Sequence, residues 1–355
     1  MKNKMLIGCF VFILVIASWC CPVLSQEKVA LDISRIISLT ISNNLNFKKA
    51  SYQLNNAELD IRQLEAENLL TQSGILNKQK EINILQQQNT FQSQKNQLII
   101  QAADNYFRLV LAELDIRRKE KNIDLEKAVL AEVEAQVSAG YRIELDLLQQ
   151  GNAYYDALFS YEKARLDYQQ LLIEIKNDLG LSEAAEISVE AVSLPHFPDI
   201  DCYVSRDKAR ENSFILKSKE IEIELAHLKL ENAKIEQDSP LSIAKLTNNL
   251  EIANLEQIIL EQDLDYQILI QWQNHQQSKN SVLLAEQSLK QMKENESIIK
   301  RQVQAGLRRE DELLSASIGV LDAEYRFVSS VRQCYQSYLE LQKIMGILDE
   351  GAIVK

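Results

Sequence analysis

The stretch QVSAGYRIELDLL at 136–148 returns, with changes, as QVQAGLRREDELL at 302–314, in a chain that holds only nine glycines among 355 residues. The match runs on without a gap. Positions 139–180 align with 305–346 at a constant offset of 166, so that Ala139/Ala305, Gly140/Gly306, Arg142/Arg308, Glu144/Glu310, Leu147/Leu313, Leu148/Leu314, Asp156/Asp322, Ala157/Ala323 and Gly180/Gly346 coincide. Related stretches also open the two halves, NNLNFKKASYQLNNAELDIRQLEAEN at 43–68 and ENSFILKSKEIEIELAHLKLENAK at 211–234. Self-similarity at a fixed, long period is the mark of one structural unit used twice.

What that unit can be follows from where the chain is allowed to turn. Candidate breakers fall at Gly74, Gly140, Gly180, Pro195, Pro198, Pro240, Gly306 and Gly346, and the residues between them are helix formers almost throughout. Aromatic content is only 6%, which fits helical bundles better than sandwiches or α/β enzymes. The spacing predicts helices near 32–42, 43–72, 75–138, 142–179, 206–238, 241–304 and 308–345, with Ser239 as N-cap and Pro240 at the first turn of the sixth. A helix over 75–138 is a rod of ~96 Å, longer than any ordinary globular core. The two shorter helices of each half, stacked end to end, span about the same length. The fold class is therefore all-α: duplicated long-helix hairpins, one long helix beside two stacked shorter ones, with turns at Gly140 and Gly306. Gly151 and Gly319 fall inside helices and read as close-packing sites. The apolar residues Leu98, Ile99, Ile100, Ala103, Phe107, Val110, Leu111 and Leu114 cover more than one helix face, so mid-helix burial on several sides is expected. Toward the Gly140 and Gly306 ends the pattern thins to that of a coiled coil with a wet side. Walls of that kind can close into a tube.

The organisation along the chain is a signal peptide at 1–25, a first helical repeat at 26–180, a linker at 181–205, a second repeat at 206–346 and a tail at 347–355. Lys2 and Lys4, the run MLIGCFVFILVIA, Pro22, and the small residues Val23 and Ser25 point to export and cleavage before Gln26. Lipid attachment at Cys20 or Cys21 is the weaker reading, because Trp19 or Cys20 would stand where a small residue is wanted. No later stretch has the ~20 apolar residues of a spanning helix, so no transmembrane segment is expected in the mature chain. Cys202 and Cys334 make at most one disulfide and read as small buried hydrophobes.

The net charge of −12 gives no basic stripe for a phosphate backbone and argues against nucleic acid. His196, His227 and His275 lie far apart with no metal-ligand spacing, and no phosphate loop or nucleophile elbow occurs. No catalytic, metal or cofactor site is expected, and the chain does not read as an enzyme. Helix charges read as solvated faces, with Glu113–Arg117 and Asp115–Lys119 as candidate pairs at i,i+4. Tyr106 and Trp272, 166 apart, read as core aromatics.

Taken in order, the duplication, the Asn-led opening helices (Asn44, Asn212), the long helix AADNYFRLVLAE and the AG-x-R turns resemble the TolC-type outer-membrane efflux channel family across the mature chain. The resemblance implies a homotrimeric helical tube in the cell envelope that meets a periplasmic adaptor and an inner-membrane pump. It also implies that Gly140 and Gly306 are the tip turns, and that Arg142, Asp146, Arg308 and Glu312 form the polar network that closes the tip. Taken alone, these residues also read as ordinary charges at helix N-termini. Two departures stand out. Leu45 and Ser213 occupy the place of the family's proline. The junctions LLTQSGIL (69–76) and QDSPLSI (237–243) are too short for the two membrane strands per repeat that the family inserts there, since each needs ~9–11 residues. On that resemblance the chain is expected to be a shortened member, with the helical tube and without the membrane barrel. The alternative reading is a structural coiled-coil scaffold or spacer of the envelope without transport. An adaptor fits less well, because the β-rich domains that flank an adaptor's hairpin are missing.

Overall fold

Two helices of 65 residues each set the dimensions. In a computed structural model describing residues 28–68, 73–190 and 197–349, α3 runs from Gly74 to Ser138 and α7 from Pro240 to Gln304. Each is about 98 Å long. The remaining elements are β1 (Lys28–Leu31), α1 (Ile33–Asn43), α2 (Leu45–Asn68), α4 (Glu144–Asp178), β2 (Glu186–Val189), α5 (Cys202–Asn212), α6 (Phe214–Ile235) and α8 (Glu310–Ile344). The signal segment at 1–25 and residues 69–72 of the junction at 69–76 lie outside the described residues.

Local chemistry fixes these boundaries. The Asp32, Ser73, Asp201, Ser213 and Ser239 side chains each accept a backbone N–H of the first turn they precede, and Pro240 occupies the first turn of α7 as its fixed φ favours. The expected single helix over 206–238 is two, α5 and α6. Ser213 stops one and caps the next by accepting the Leu216 N–H at 3.2 Å. The stretch expected as linker carries β2 and the first turn of α5. The opening helices correspond one residue away from the expected pairing of Asn44 with Asn212. Asn43 and Asn212 are the counterparts, each donating from Nδ2 to the last turn of the half's final helix, Leu179 O at 2.7 Å and Met345 O at 3.0 Å. Asn44 instead caps α2 by accepting the Phe47 N–H.

The helices lie side by side as a wall. On the side of the Gly140 and Gly306 turns the neighbours run α4, α3, α8, α7; on the other side they run α2, α3, α6, α7. The core sits at mid-height. Ile99, Phe107, Leu109 and Leu114 of α3 are essentially fully buried against α1, the ends of α4 and α8, and Phe197, as the dense apolar run predicts. At ~25 cal/mol per Å² each such side chain contributes about 2–3 kcal/mol. A two-stranded parallel sheet, Lys28↔Glu186 to Leu31↔Val189, closes one flank. Tyr106 and Trp272 tie their long helices to the segments beside them. The Tyr106 hydroxyl donates to Glu190 O at 2.9 Å and Trp272 Nε1 to Ile200 O at 2.7 Å. Cys202 and Cys334 are free thiols, Cys334 fully buried. Among the described residues no helix is long and apolar enough to cross a membrane.

Two expectations fail. A Cβ built on Gly151 or Gly319 meets nothing within 4 Å, so neither is a close-packing site within one chain. The i,i+4 charge pairs do not form: Glu113 accepts from the Tyr168 hydroxyl at 2.8 Å, and Asp115 pairs with Arg118 at 2.5 Å. In both cases a tertiary partner or the i,i+3 neighbour offers the better geometry.

Candidate functional site: the two hairpin turns and the seam between them

Both turns are built alike. Helix α3 ends in a Schellman motif in which the Gly140 N–H donates to Val137 O at 2.9 Å and the Tyr141 N–H to Gln136 O at 2.8 Å. At the end of α7 the Gly306 N–H donates to Val303 O at 2.9 Å and the Leu307 N–H to Gln302 O at 2.8 Å. Gly140 and Gly306 stand at φ +77° and +74°, the left-handed region that costs a residue with Cβ about 1 kcal/mol or more. Both Schellman turns present a large apolar side chain to solvent, Tyr141 at 84% and Leu307 at 76% exposure.

The four expected charges do not behave alike. Arg308 and Glu312 pair at 2.9 Å on one hairpin. Glu312 also accepts the Arg309 backbone N–H at 3.3 Å, one leg of a capping box on α8. Arg142 and Asp146 form no ion pair among the described residues. Glu144 and Asp146 sit in the first turn of α4, where the helix dipole favours a carboxylate.

The residue that joins the hairpins is one the sequence reading passed over. Arg309 reaches from the start of α8 to Glu132 on α3 at 2.7 Å, where Gln136 also donates at 2.8 Å. Arg309 pairs with Asp311 as well, and its guanidinium holds that carboxyl below the usual carboxylate range. The signal was available in the repeat: Arg309 aligns with Ile143, a cation standing against an apolar residue three positions past the turn glycine.

Above Arg309 the α3–α8 seam continues as a ladder of ion pairs. Arg118 meets Asp322 at 2.9 Å, Arg117 meets Glu324 at 4.0 Å, and Arg332 forks onto Asp104 at 2.6 and 3.0 Å. Most of these groups are a fifth to a half exposed, so each pair contributes at most about 1 kcal/mol and is weakened by salt. A groove of about 660 Å³ between the hairpins, lined by Met292, Ile299, Arg308, Glu312 and Gly319 among others, shows that the walls are not packed shut near the turns. No group of three or more metal-ligating side chains occurs among the described residues.

No protein-family model matches the chain, and no curated protein sequence matches it. Solved structures do resemble it. VceC, an outer membrane protein of Vibrio cholerae, is 10% identical with a TM-score of 0.63, over 88% of this chain and 96% of that one. The outer membrane channel CmeC of Campylobacter jejuni is 13% identical with a TM-score of 0.60, over 90% and 87%. CusC, whose crystal structures concern folding and transmembrane channel formation, is 14% identical with a TM-score of 0.59, over 88% and 92%. Identities this low carry the fold and nothing finer.

Proposed function

We propose that this chain, which shares the fold of the TolC-type outer-membrane efflux channels, is the conduit of an envelope efflux or export system. Three copies close into a helical tube that docks at its turn end with a periplasmic adaptor and an inner-membrane pump. In this reading residues 1–25 are removed on export, 26–180 and 206–346 are the two units of each protomer, 181–205 links them and 347–355 forms the tail. The mature protein works in the periplasm and cell envelope, associated with the outer membrane. Gly140 and Gly306 make the tip turns, and Arg142, Asp146, Arg308 and Glu312 the polar ring that holds the entrance closed.

The observation that carries this proposal is the wall's two free edges. Helix α2 exposes Leu45 (78%), Tyr52 (70%) and Leu59 (50%), spaced by seven. Helix α7 exposes Ile252, Leu255, Ile259 and Tyr266 at a and d spacing. A soluble chain leaves two apolar heptad seams in water only if something covers them, and a head-to-tail ring covers both at once. The number three comes from the family resemblance.

A scaffold without transport is favoured by one feature. The connection between α6 and α7 is only residues 236–239, which leaves no room for membrane strands there. Light scattering of residues 26–355 followed by imaging separates the two readings. A trimer with an axial hole supports the conduit, and a monomer or a solid rod refutes it.

A further inference from the structure

We infer that the copies of this chain join along a specific apolar seam, α7 of one against α4 of the next, in the register Ile270 on Leu166, Leu283 on Leu158 and Ile298 on Ile143. The inference rests on the ring reading above and adds which residues meet.

One seam of this type lies inside the chain. Helices α3 and α7 have equal length and start 166 positions apart, as do α4 and α8. Within the chain α3 packs on α8. Moving both by 166 positions turns that contact into α7 packing on α4 of another copy. These are the two helices left at the wall's edges on the turn side. Three of the four rungs of the internal seam are Asp104–Arg332, Arg117–Glu324 and Glu132–Arg309. Adding 166 to the α3 member and subtracting it from the α8 member gives Ile270–Leu166, Leu283–Leu158 and Ile298–Ile143. All three ionic rungs become apolar on both sides. Five of the six side chains lie bare in the single chain: Ile270 39%, Leu166 64%, Leu283 54%, Ile298 46% and Ile143 62% exposed. A fourth rung, Arg118–Asp322, becomes Leu284 opposite Asp156, keeping its carboxylate and losing its cation.

At three of the four rungs both charges are absent from one seam and present at the matching places of the other, and at the fourth only Asp156 remains charged. Solvated edges of a monomer would show the reverse. A seam that must form between separate molecules gains from apolar burial, whereas a seam within one chain is held by covalent connection and tolerates weak ion pairs. The occupant of this edge is therefore a second copy. The ring alternates salt-insensitive seams between copies with salt-sensitive seams within them.

The test uses the mature chain carrying Cys202→Ser, with Cys334 left in place because it is buried. Leu166→Cys and Ile270→Cys are introduced together and treated with a short bismaleimide. Inside one chain these positions lie on opposite edges, across two intervening helices at 8–10 Å per helix spacing, so a cross-link must join two copies. The control pair, Leu166→Cys with Leu283→Cys, is out of register by roughly 20 Å. The expected result is linked dimers and higher species from the first pair, in clear excess over the control. Equal or greater linking in the control, in a sample that light scattering shows to be oligomeric, overturns the register while leaving the ring intact. A monomer by light scattering removes the ring and the seam with it. In a second experiment Ile270→Asp alone should weaken assembly at least about tenfold by setting an unpaired carboxylate into the seam. Adding Leu166→Arg should restore most of it and make assembly salt-dependent. An unaltered assembly in Ile270→Asp, or dissociation of the unmodified protein at high salt, counts against the seam.

Discussion

His275 offers the sharpest test of the mid-height core. It is fully buried on α7, with its ring against Phe197 and Tyr338 and its Nδ1 3.1 Å from the Ser337 hydroxyl, while Nε2 has no partner. Ser278 and Ser337 bond to each other at 2.7 Å and to the carbonyls of His275 and Cys334. Burial pushes its pKa from 6.5 down to about 4, and Lys279, which pairs with Asp199, pushes the same way. The other ionisable groups in this cluster, the Cys334 thiol and the Tyr335 and Tyr338 hydroxyls on α8, have raised pKa values and stay neutral across this range. The unfolded chain therefore takes up a proton near pH 6.5 that the folded chain refuses until about pH 4. Stability is untouched above pH 6.5, is lost as pH falls from there to about 4, and the loss then levels off. At ~1.4 kcal/mol per tenfold in proton affinity the full loss is about 3 kcal/mol, and most of it is reached by pH 4.5. Position 109, the counterpart of 275 in the first half, is a fully buried leucine, so His275→Leu places there the residue the fold already accepts. Denaturant unfolding followed by helical circular dichroism, at one protein concentration and at pH 7 and 4.5, isolates the effect because every carboxylate is common to both proteins. The variant should lose about 2–3 kcal/mol less than the parent between the two pH values. Equal losses would refute the assignment of a buried neutral imidazole.

Two further outcomes follow from the turns. Gly346→Ala sets a Cβ 2.6 Å from that of Asn212 at φ +66°, whereas Gly140→Ala, at φ +77°, meets open space. Thermal unfolding should show Gly140→Ala losing about 1 kcal/mol and Gly346→Ala distinctly more, and equal losses would refute the clash. Replacing Arg142 and Arg308 together by alanine should raise pore conductance or solute leak in reconstituted protein. Unchanged leak would return these residues to ordinary helix-end charges.

The rods, their lengths and the mid-height core were legible because each rests on a local rule: breakers few and well placed, helix formers between, and one apolar run too wide for a single face. What escaped the sequence was set by neighbours not adjacent in the chain. Glu113 was assigned to Arg117 by spacing, yet the Tyr168 hydroxyl on α4 takes it. Gly151 and Gly319 were read as contacts because glycine inside a helix usually needs a reason, and at both the space is empty. The break at Ser213 gave no signal because a lone serine inside a helix-forming run is common, and the capping bond that makes it a break is visible only in three dimensions.

Where the halves agree and where they differ separates two demands on the same fold. Agreement is found wherever a half must close on itself: Gly140 and Gly306 with their paired turn bonds, Asn43 and Asn212 on the last carbonyls, and Tyr106 and Trp272 on the flanking chain. Difference is found at the side faces, where Asp104, Glu132, Arg309 and Arg332 stand against Ile270, Ile298, Ile143 and Leu166. A duplication assembled only from self-sufficient units would have no reason to sort charge this way, since both halves would meet the same solvent. Sorting arises if one long helix faces its own chain and the other faces another molecule. Arg309 is one such site, a cation on the seam within the chain where the first copy carries Ile143.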